Sequence, residues 1–154
     1  MSTTAVQYDT FVIERRLASS PARVFAAFAD QKKKARWFGC VAGWEVAEHR
    51  LDFRAGGREV WRGGPPGDVP HQNETVYHDI VPDERIVWSY AMTVGGRRIS
   101  VSLATLELSP DGRGTHMRFI EQGVYLDGYD GLADRERGTK DLLDNLERAL
   151  REEG

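Results

Sequence analysis

An apolar stripe at helical spacing marks the last stretch of the chain, from about Tyr129 to Glu152. Leu143, Leu146 and Leu150 recur at steps of three or four residues, Thr139 precedes them by one turn, and the other face is charged. This pattern predicts one long amphipathic helix of about six turns. A helix with one apolar side needs a surface to cover that side. No other stretch is patterned as a second long helix, so we expect the covering surface to be a sheet.

Seven runs of alternating or continuous apolar residues predict strands, and turn signals such as Gly56-Gly57 and Gly95-Gly96 separate several of them. Two short helices follow the first strand, because Ser20-Pro21 and Asp30 are helix-start signals. This order, β-α-α-β6-α, predicts the α+β class, with a curved antiparallel sheet wrapped around the long C-terminal helix. The predicted strands are Phe11–Leu17, Val46–Phe53, Glu59–Arg62, His71–Val81, Ile86–Met92, Ile99–Leu108 and Thr115–Gln122.

Gly63–Pro70, with the sequence GGPPGDVP, is predicted to be a loop without regular structure. The sequence leaves open whether this loop is a lid over a site. Gly138 lies inside the predicted last helix, where it either leaves room for a ligand or strand or is simply tolerated. The lysines at 32–34 form either a patch for an acidic partner or a solvated helix face.

Composition narrows the class of protein. The length of 154 residues predicts one domain over residues 1–154, and a formal net charge of −3 argues against nucleic acid as a partner. The N-terminus has no signal-peptide pattern, and no stretch is apolar enough to span a membrane. Cys40 is the only cysteine and is expected to be a small buried residue. A cytoplasmic protein is therefore predicted.

Four local motifs carry a resemblance that covers nearly the whole chain: Arg36–Gly39, Asp52–Gly57, Ile80–Trp88 and Gly112–Thr115. With the element order, they resemble the helix-grip fold of the START-related (SRPBCC) superfamily, and within it the homologues of the heat-shock-protein-90 ATPase activator. The chain departs from that branch at two positions. Thr139 stands where the branch often has tryptophan, and Glu59 stands where it often has an aromatic residue.

The resemblance implies a hydrophobic pocket between the sheet and the last helix. Members of the superfamily bind lipids, polyketides or hormones, and some catalyse cyclisation in that pocket. The four motifs themselves form turns and packing contacts and are not catalytic. Since one fold hosts several functions, the function has to be inferred from the residues of the interior and not from the fold.

Strand alternation puts the two members of each of three pairs on the same face of their strand. The pairs are Glu59 and Trp61, Trp88 and Tyr90, and Phe119 and Glu121. If these faces look at the helix, the interior is aromatic and contains two carboxylates, which is typical of a small-molecule site. The alternative is an ordinary aromatic core with both glutamates near the rim. The candidate ligand-binding residues are Trp37, Phe38, Glu59, Trp61, Tyr77, Trp88, Tyr90, Phe119, Glu121 and Leu132.

We therefore predict a protein that binds a small apolar or aromatic molecule, and the sequence leaves open whether it also catalyses a reaction. One alternative is a regulator of a chaperone ATPase that acts through surface contact. The other is a polyketide cyclase or aromatase in which Glu59 or Glu121 is the general base and Tyr90 a donor. No cofactor or metal is expected, because no pair among the four histidines has ligand spacing. Pairing of sheet edges into a homodimer is left open.

Overall fold

The computed structural model describes residues 5–129 and 132–153, except for the side chain of Leu132. Within these residues the chain forms seven strands and three helices, in the predicted order. The elements are β1 (Val6–Leu17), α1 (Pro21–Ala29), α2 (Gln31–Lys34), β2 (Glu45–Leu51), β3 (Arg58–Gly64), β4 (His71–Val81), β5 (Arg85–Val94), β6 (Arg97–Asp111), β7 (Gly114–Leu126) and α3 (Leu132–Glu153).

Both short helices begin at the predicted caps. The Ser20 side chain accepts a hydrogen bond from the backbone N–H of Arg23, and Pro21 occupies the first helical turn. The Asp30 side chain accepts from the backbone N–H of Lys33 at 3.0 Å. Each cap satisfies one of the N–H groups that a helix start leaves without a partner.

All seven strands form one antiparallel sheet in the order β1-β7-β6-β5-β4-β3-β2. The sheet is curved and open, and α3 lies against one of its faces. This arrangement confirms the predicted α+β class and helix-grip fold. Strands β1 and β2 are its two edges.

Most strands extend beyond the predicted ends, and only β4 matches its prediction at both ends. Gly63 and Gly64 belong to β3, where they pair with His71 and Glu45, so the prediction that all of Gly63–Pro70 is irregular was wrong for its first two residues. A Cβ atom at Gly63 would lie 2.5 Å from the backbone oxygen of Glu45. Glycine therefore permits the close approach of β2 and β3 at this end of the sheet.

The sheet face that α3 covers is apolar at one end and polar at the other. Leu143, Leu146 and Leu150 on α3 are buried at the apolar end, together with strand residues such as Leu106 and Met117. Successive inward positions on β6, from its far end, are Leu108, Leu106, Ala104, Ser102 and Ser100. The first part of α3 therefore faces a buried surface that contains hydroxyl groups.

Two details differ from the sequence-based expectations. Cys40 is exposed and not buried. Lys34 is buried, so neither reading of the three lysines, a patch for an acidic partner or a solvated face, holds for it.

Gly138 lies on the exposed side of α3, and a Cβ atom there would meet nothing within 4 Å. No strand therefore packs against Gly138, which favours the reading that glycine is simply tolerated in the helix. Within the described residues, no helix is long and apolar enough to cross a membrane.

Candidate functional site

Six buried or partly buried polar side chains converge beneath the first turns of α3. They come from three adjacent strands and the helix, and the register explains their proximity: Tyr90 on β5 pairs with Ser102 on β6, and Ser100 pairs with Tyr125 on β7. We call this group the Arg135 cluster; its members are Tyr90, Ser100, Ser102, Glu121, Tyr125 and Arg135.

The guanidinium of Arg135 is the centre of the cluster. Its Nη2 donates to Ser100 Oγ at 2.7 Å, and its Nη1 donates to Tyr90 Oη at 3.1 Å. The carboxylate of Glu121 lies farther away, with 3.5 Å between Nη1 and Oε2. Glu121 accepts a shorter hydrogen bond of 2.8 Å from the Tyr90 hydroxyl. Among the described residues, Arg135 is therefore held mainly by neutral hydroxyl groups and only weakly by one anionic neighbour.

Tyr125 contributes a buried donor without a partner. Its side chain is only 1% exposed, and its hydroxyl makes no hydrogen bond within the described residues. The Arg135 guanidinium lies 5.2 Å from the centre of its ring. A Cβ atom at Gly123 would lie 2.9 Å from this ring and 3.2 Å from Ser102 Oγ, so only glycine leaves space for Tyr125 here. A buried hydroxyl without a partner is energetically costly, which makes this position a candidate contact for a ligand.

Burial dominates the electrostatics of the cluster. Burial raises the pKa of Glu121, and the nearby charge of Arg135 and hydrogen bonds from Tyr90 and Ser102 oppose only part of that rise. Burial and the nearby carboxylate of Glu121 raise the pKa of Tyr90. Burial also raises the pKa of Tyr125, to about 12. Both phenols are therefore neutral donors at neutral pH.

A second buried polar group forms around Glu59 on β3, and we call it the Lys34 cluster. The Lys34 ammonium of α2 lies 2.6 Å from Glu59 Oε1, which also accepts a 2.6 Å hydrogen bond from the Tyr77 hydroxyl. Glu59 Oε2 lies 2.7 Å from His49 Nε2. Both carboxylate oxygens are thus engaged, and Glu59 is only 3% exposed.

The surroundings of Glu59 lower its pKa, whereas those of Glu121 raise its pKa. Burial alone raises the pKa of Glu59, but the charge of Lys34 and hydrogen bonds from His49, Lys34 and Tyr77 outweigh it and lower that pKa to about 2. A carboxylate this weakly basic, with both oxygens occupied, is a poor general base. Of the two glutamates predicted as candidate bases, the geometry therefore favours only Glu121.

Glu59 and Glu121 both lie in the interior, on the faces that alternation predicted, but they do not form a pair. They belong to β3 and β7, four strand steps apart in the sheet order. At about 4.8 Å per step this is roughly 19 Å measured along the sheet. The candidate site is thus two separate clusters rather than one centre with two carboxylates.

Most of the predicted aromatic wall residues pack against one another. The rings of Trp88 and Phe119 are 5.9 Å apart, those of Tyr77 and Trp88 are 6.4 Å apart, and those of Trp37 and Phe38 are 5.9 Å apart. These rings form or border the buried core. The side chain of Leu132, also predicted as a wall, lies outside the described residues.

Trp61 is a predicted wall residue outside the core cluster, and its ring lies 6.2 Å from that of Phe38 at the border of the core. Its indole N–H is buried and has no partner within the described residues. The ring stacks on Trp44 at 6.4 Å. Gly39 covers the ring edge, since a Cβ atom there would lie 2.5 Å from the Trp61 nitrogen. The positive φ of 77° at Gly39 also favours glycine at this position.

Sequence reasoning missed the two cations at the cluster centres, as well as Ser100, Ser102 and Tyr125. A signal existed for both cations. Arg135 is four residues before buried Thr139, in the row that continues to Leu143, so it occupies an inward position of the helix. Lys34 is three and four residues before Trp37 and Phe38, which are also inward.

Two depressions, of about 310 and 300 Å³, are found among the described residues, and both lie away from the two clusters. The first is lined by residues such as Glu84, Glu107 and Arg118, and the second by Glu14, Arg15, Arg16 and His116. A preformed hydrophobic cavity between sheet and helix therefore remains a prediction. No group of three or more potential metal-ligand side chains is assembled within the described part of the chain.

The sheet order and the long final helix define a helix-grip protein of the START-related class. A family model described as "Activator of Hsp90 ATPase homolog 1-like protein" matches residues 18–151. The chain belongs to this family, which confirms the resemblance seen in its motifs. A search of curated proteins gave no match.

Solved structures of similar chains agree with this assignment. A protein from Rhizobium leguminosarum is 40% identical, with a TM-score of 0.93 over 97% of this chain and 98% of that one. The Mll3558 protein from Rhizobium loti is 44% identical, with a TM-score of 0.88 over 94% of this chain and 99% of that one. An AHSA1-like protein from Aeromonas hydrophila, 17% identical over 95% and 94% of the two chains with a TM-score of 0.70, shares the fold.

Proposed function

We propose that this protein binds a small, largely apolar or aromatic molecule between the sheet and the first half of α3, with its polar end at the Arg135 cluster. The observation that carries the proposal is the convergence of six polar side chains in an interior that, apart from the Lys34 cluster, is mainly apolar. A core needs no such group for packing, because buried polar atoms add stability only when they are fully paired. The buried hydroxyl of Tyr125 has no partner in the part of the chain that the structure describes.

Access to the cluster comes from its least buried members. Tyr90 is only partly buried, and the Arg135 side chain is 10% exposed to solvent. Thr139, one turn after Arg135, is a smaller side chain than the tryptophan often found there in this branch, so the helix covers this part of the sheet with less bulk. Apolar rings such as Trp88 and Phe119 adjoin the cluster and supply the apolar contacts that a ligand of this class needs.

The test is a titration of the protein with benzyl alcohol, a neutral aromatic probe, followed by intermolecular nuclear Overhauser effects. We expect contacts from the probe ring to the side chains of Tyr90 and Tyr125, which face the helix. Contacts only to Val101 and Leu103, whose side chains are exposed on the other face of the same sheet, would contradict the proposal. Absence of any contact would contradict it as well.

Two alternatives remain predictions. A cyclase-type reaction with Glu121 as base is supported by the raised pKa of Glu121 and its hydrogen bond from Tyr90, and it would use the same site. Regulation of a chaperone ATPase is supported by the family description alone, and stimulation of a purified chaperone ATPase by this chain would favour it. A cytoplasmic location, a single domain over residues 1–154 and a homodimer through the edge strands are also still predictions.

A further inference from the structure

Within the described residues, the Arg135 cluster contains one cation and four hydroxyl groups but only one anionic acceptor. Its donors are the guanidinium of Arg135 and four hydroxyl groups, on Tyr90, Ser100, Ser102 and Tyr125. Its one anionic acceptor is Glu121, whose oxygen lies 3.5 Å from the guanidinium and is closer to the Tyr90 hydroxyl.

The Lys34 cluster shows what a satisfied buried ion pair looks like in the same protein. There the ammonium and carboxylate of Lys34 and Glu59 are 2.6 Å apart, and His49 and Tyr77 complete the contacts of the carboxylate. No donor of that cluster is left without an acceptor within the described residues. The looser geometry around Arg135 is therefore not a general feature of this interior.

We propose that the ligand carries a carboxylate, which binds to the guanidinium of Arg135 and to the hydroxyl of Tyr125. This inference rests on the proposed function and names the polar end of its ligand. The guanidinium offers a planar set of N–H donors that matches a carboxylate, and hydrogen bonds to charged acceptors are the stronger ones. The Tyr125 hydroxyl supplies a donor that has no acceptor among residues 5–129 and 132–153.

The location of Tyr125 supports a role in recognition rather than in packing alone. Its ring lies beside the guanidinium, and its hydroxyl and Ser102 Oγ both lie near the position that a side chain at Gly123 would take, at 3.1 and 3.2 Å. The titratable groups that face Arg135 from the packed strands are Tyr90, Glu121 and Tyr125. Among the described residues, the cluster has one cation, Arg135, whose carboxylate neighbour Glu121 lies at the long distance of 3.5 Å. This arrangement suits a ligand with a single negative charge.

The experiment compares phenylacetate with phenylacetamide, which has nearly the same shape but no charge, in titrations of the full chain followed by amide chemical shifts. We expect phenylacetate to bind at least about tenfold more tightly, as one charge-assisted hydrogen bond predicts. Arg135→Gln is expected to abolish the preference. Arg137→Gln, two residues away on the exposed side where it pairs with Asp134, is the matched control and is expected to keep it.

Tyr125→Phe is a second test variant, and its result can be interpreted even if Arg135→Gln does not fold. It removes a hydroxyl that has no partner among the described residues, so the unfolding midpoint is expected to stay the same or rise. The preference for phenylacetate is expected to fall several-fold. An unchanged preference in Tyr125→Phe would overturn the role given to that hydroxyl.

The remaining outcomes separate this inference from the proposed function. Equal affinity for both probes, with contacts to Tyr90 and Tyr125, would leave the binding site standing and overturn the carboxylate. Tighter binding of phenyl phosphate than of phenylacetate would also overturn the carboxylate as the ligand group. Binding of none of the probes would overturn the proposed function, and this inference with it.

Discussion

Replacing Lys34 with methionine is expected to destabilise the protein by about 3 kcal/mol. The variant keeps most of the volume of the side chain but leaves Glu59 as a buried charge without its cation. Breaking a buried pair from one side typically costs about 3–5 kcal/mol. Lowering the pKa of Glu59 from 4.5 to about 2 corresponds to roughly 3 kcal/mol at about 1.4 kcal/mol per pKa unit. That figure is the net effect of burial, Lys34, His49 and Tyr77, of which the Lys34 charge is the largest favourable cause. The expected loss is a large share of the usual 5–15 kcal/mol of a domain.

The effect of Lys34→Met should also depend on pH. Because the pKa of folded Glu59 lies below its unfolded value, its contribution to stability is complete above about pH 4.5 and is lost as the pH falls through about 2. The difference in stability between the wild type and Lys34→Met should therefore be largest near neutral pH. It should narrow steadily as the pH falls below 4.5.

The assay is urea unfolding followed by tryptophan fluorescence at several pH values between neutral and acid. Lys33→Met is the matched control, since Lys33 forms a 2.8 Å pair with Glu153 near the surface, where both side chains keep solvent contact. Surface pairs contribute about 0–1 kcal/mol, so this variant should change little. If Lys34→Met cost no more than Lys33→Met, or if its cost did not depend on pH, the account of the Lys34 cluster would be refuted.

Three further predictions concern the Arg135 cluster and α3. Glu121→Gln should gain stability relative to the wild type as the pH rises above 4.5. The pKa of folded Glu121 is raised above its unfolded value, so the free energy of unfolding of the wild type falls as this carboxyl group loses its proton. Denaturant titrations at pH 4 to 8 check this. Gly123→Ala should lower the unfolding midpoint, since its Cβ would lie 2.9 Å from the Tyr125 ring, and a midpoint equal to that of the wild type would contradict the packing described. Gly138→Ala should raise stability by up to about 1 kcal/mol, because the position is open and helical, and calorimetry would detect the shift.

The sequence predicts the fold well because its signals are local. Helix caps at Ser20 and Asp30, glycine turns and strand alternation each depend on a few neighbouring residues, and the structure contains all of them. Alternation also put Glu59 and Glu121 on the inward faces. The strand ends and the first residues of the Gly63–Pro70 segment were misjudged, because strand length depends on pairing with a neighbour. The burial of Cys40 and Lys34 was misjudged as well, because it depends on tertiary packing.

The candidate site is less predictable because it depends on tertiary placement. Long cationic side chains usually extend into solvent, so the buried positions of Lys34 and Arg135 follow only when the sheet below each helix is known. The distance between Glu59 and Glu121 depends on the strand order, which separates them by four steps. The close packing of Trp88 with Phe119 depends on sheet curvature, which no local pattern contains.

Native mass spectrometry of gently purified protein, beside its denatured mass, tests the central claim most directly. The proposed function predicts a discrete additional mass that disappears on denaturation. This mass should be present in the wild type and in Arg137→Gln and absent from Arg135→Gln. A bare-chain mass in the wild type, or an additional mass that both variants carry equally, would contradict a ligand site at the Arg135 cluster.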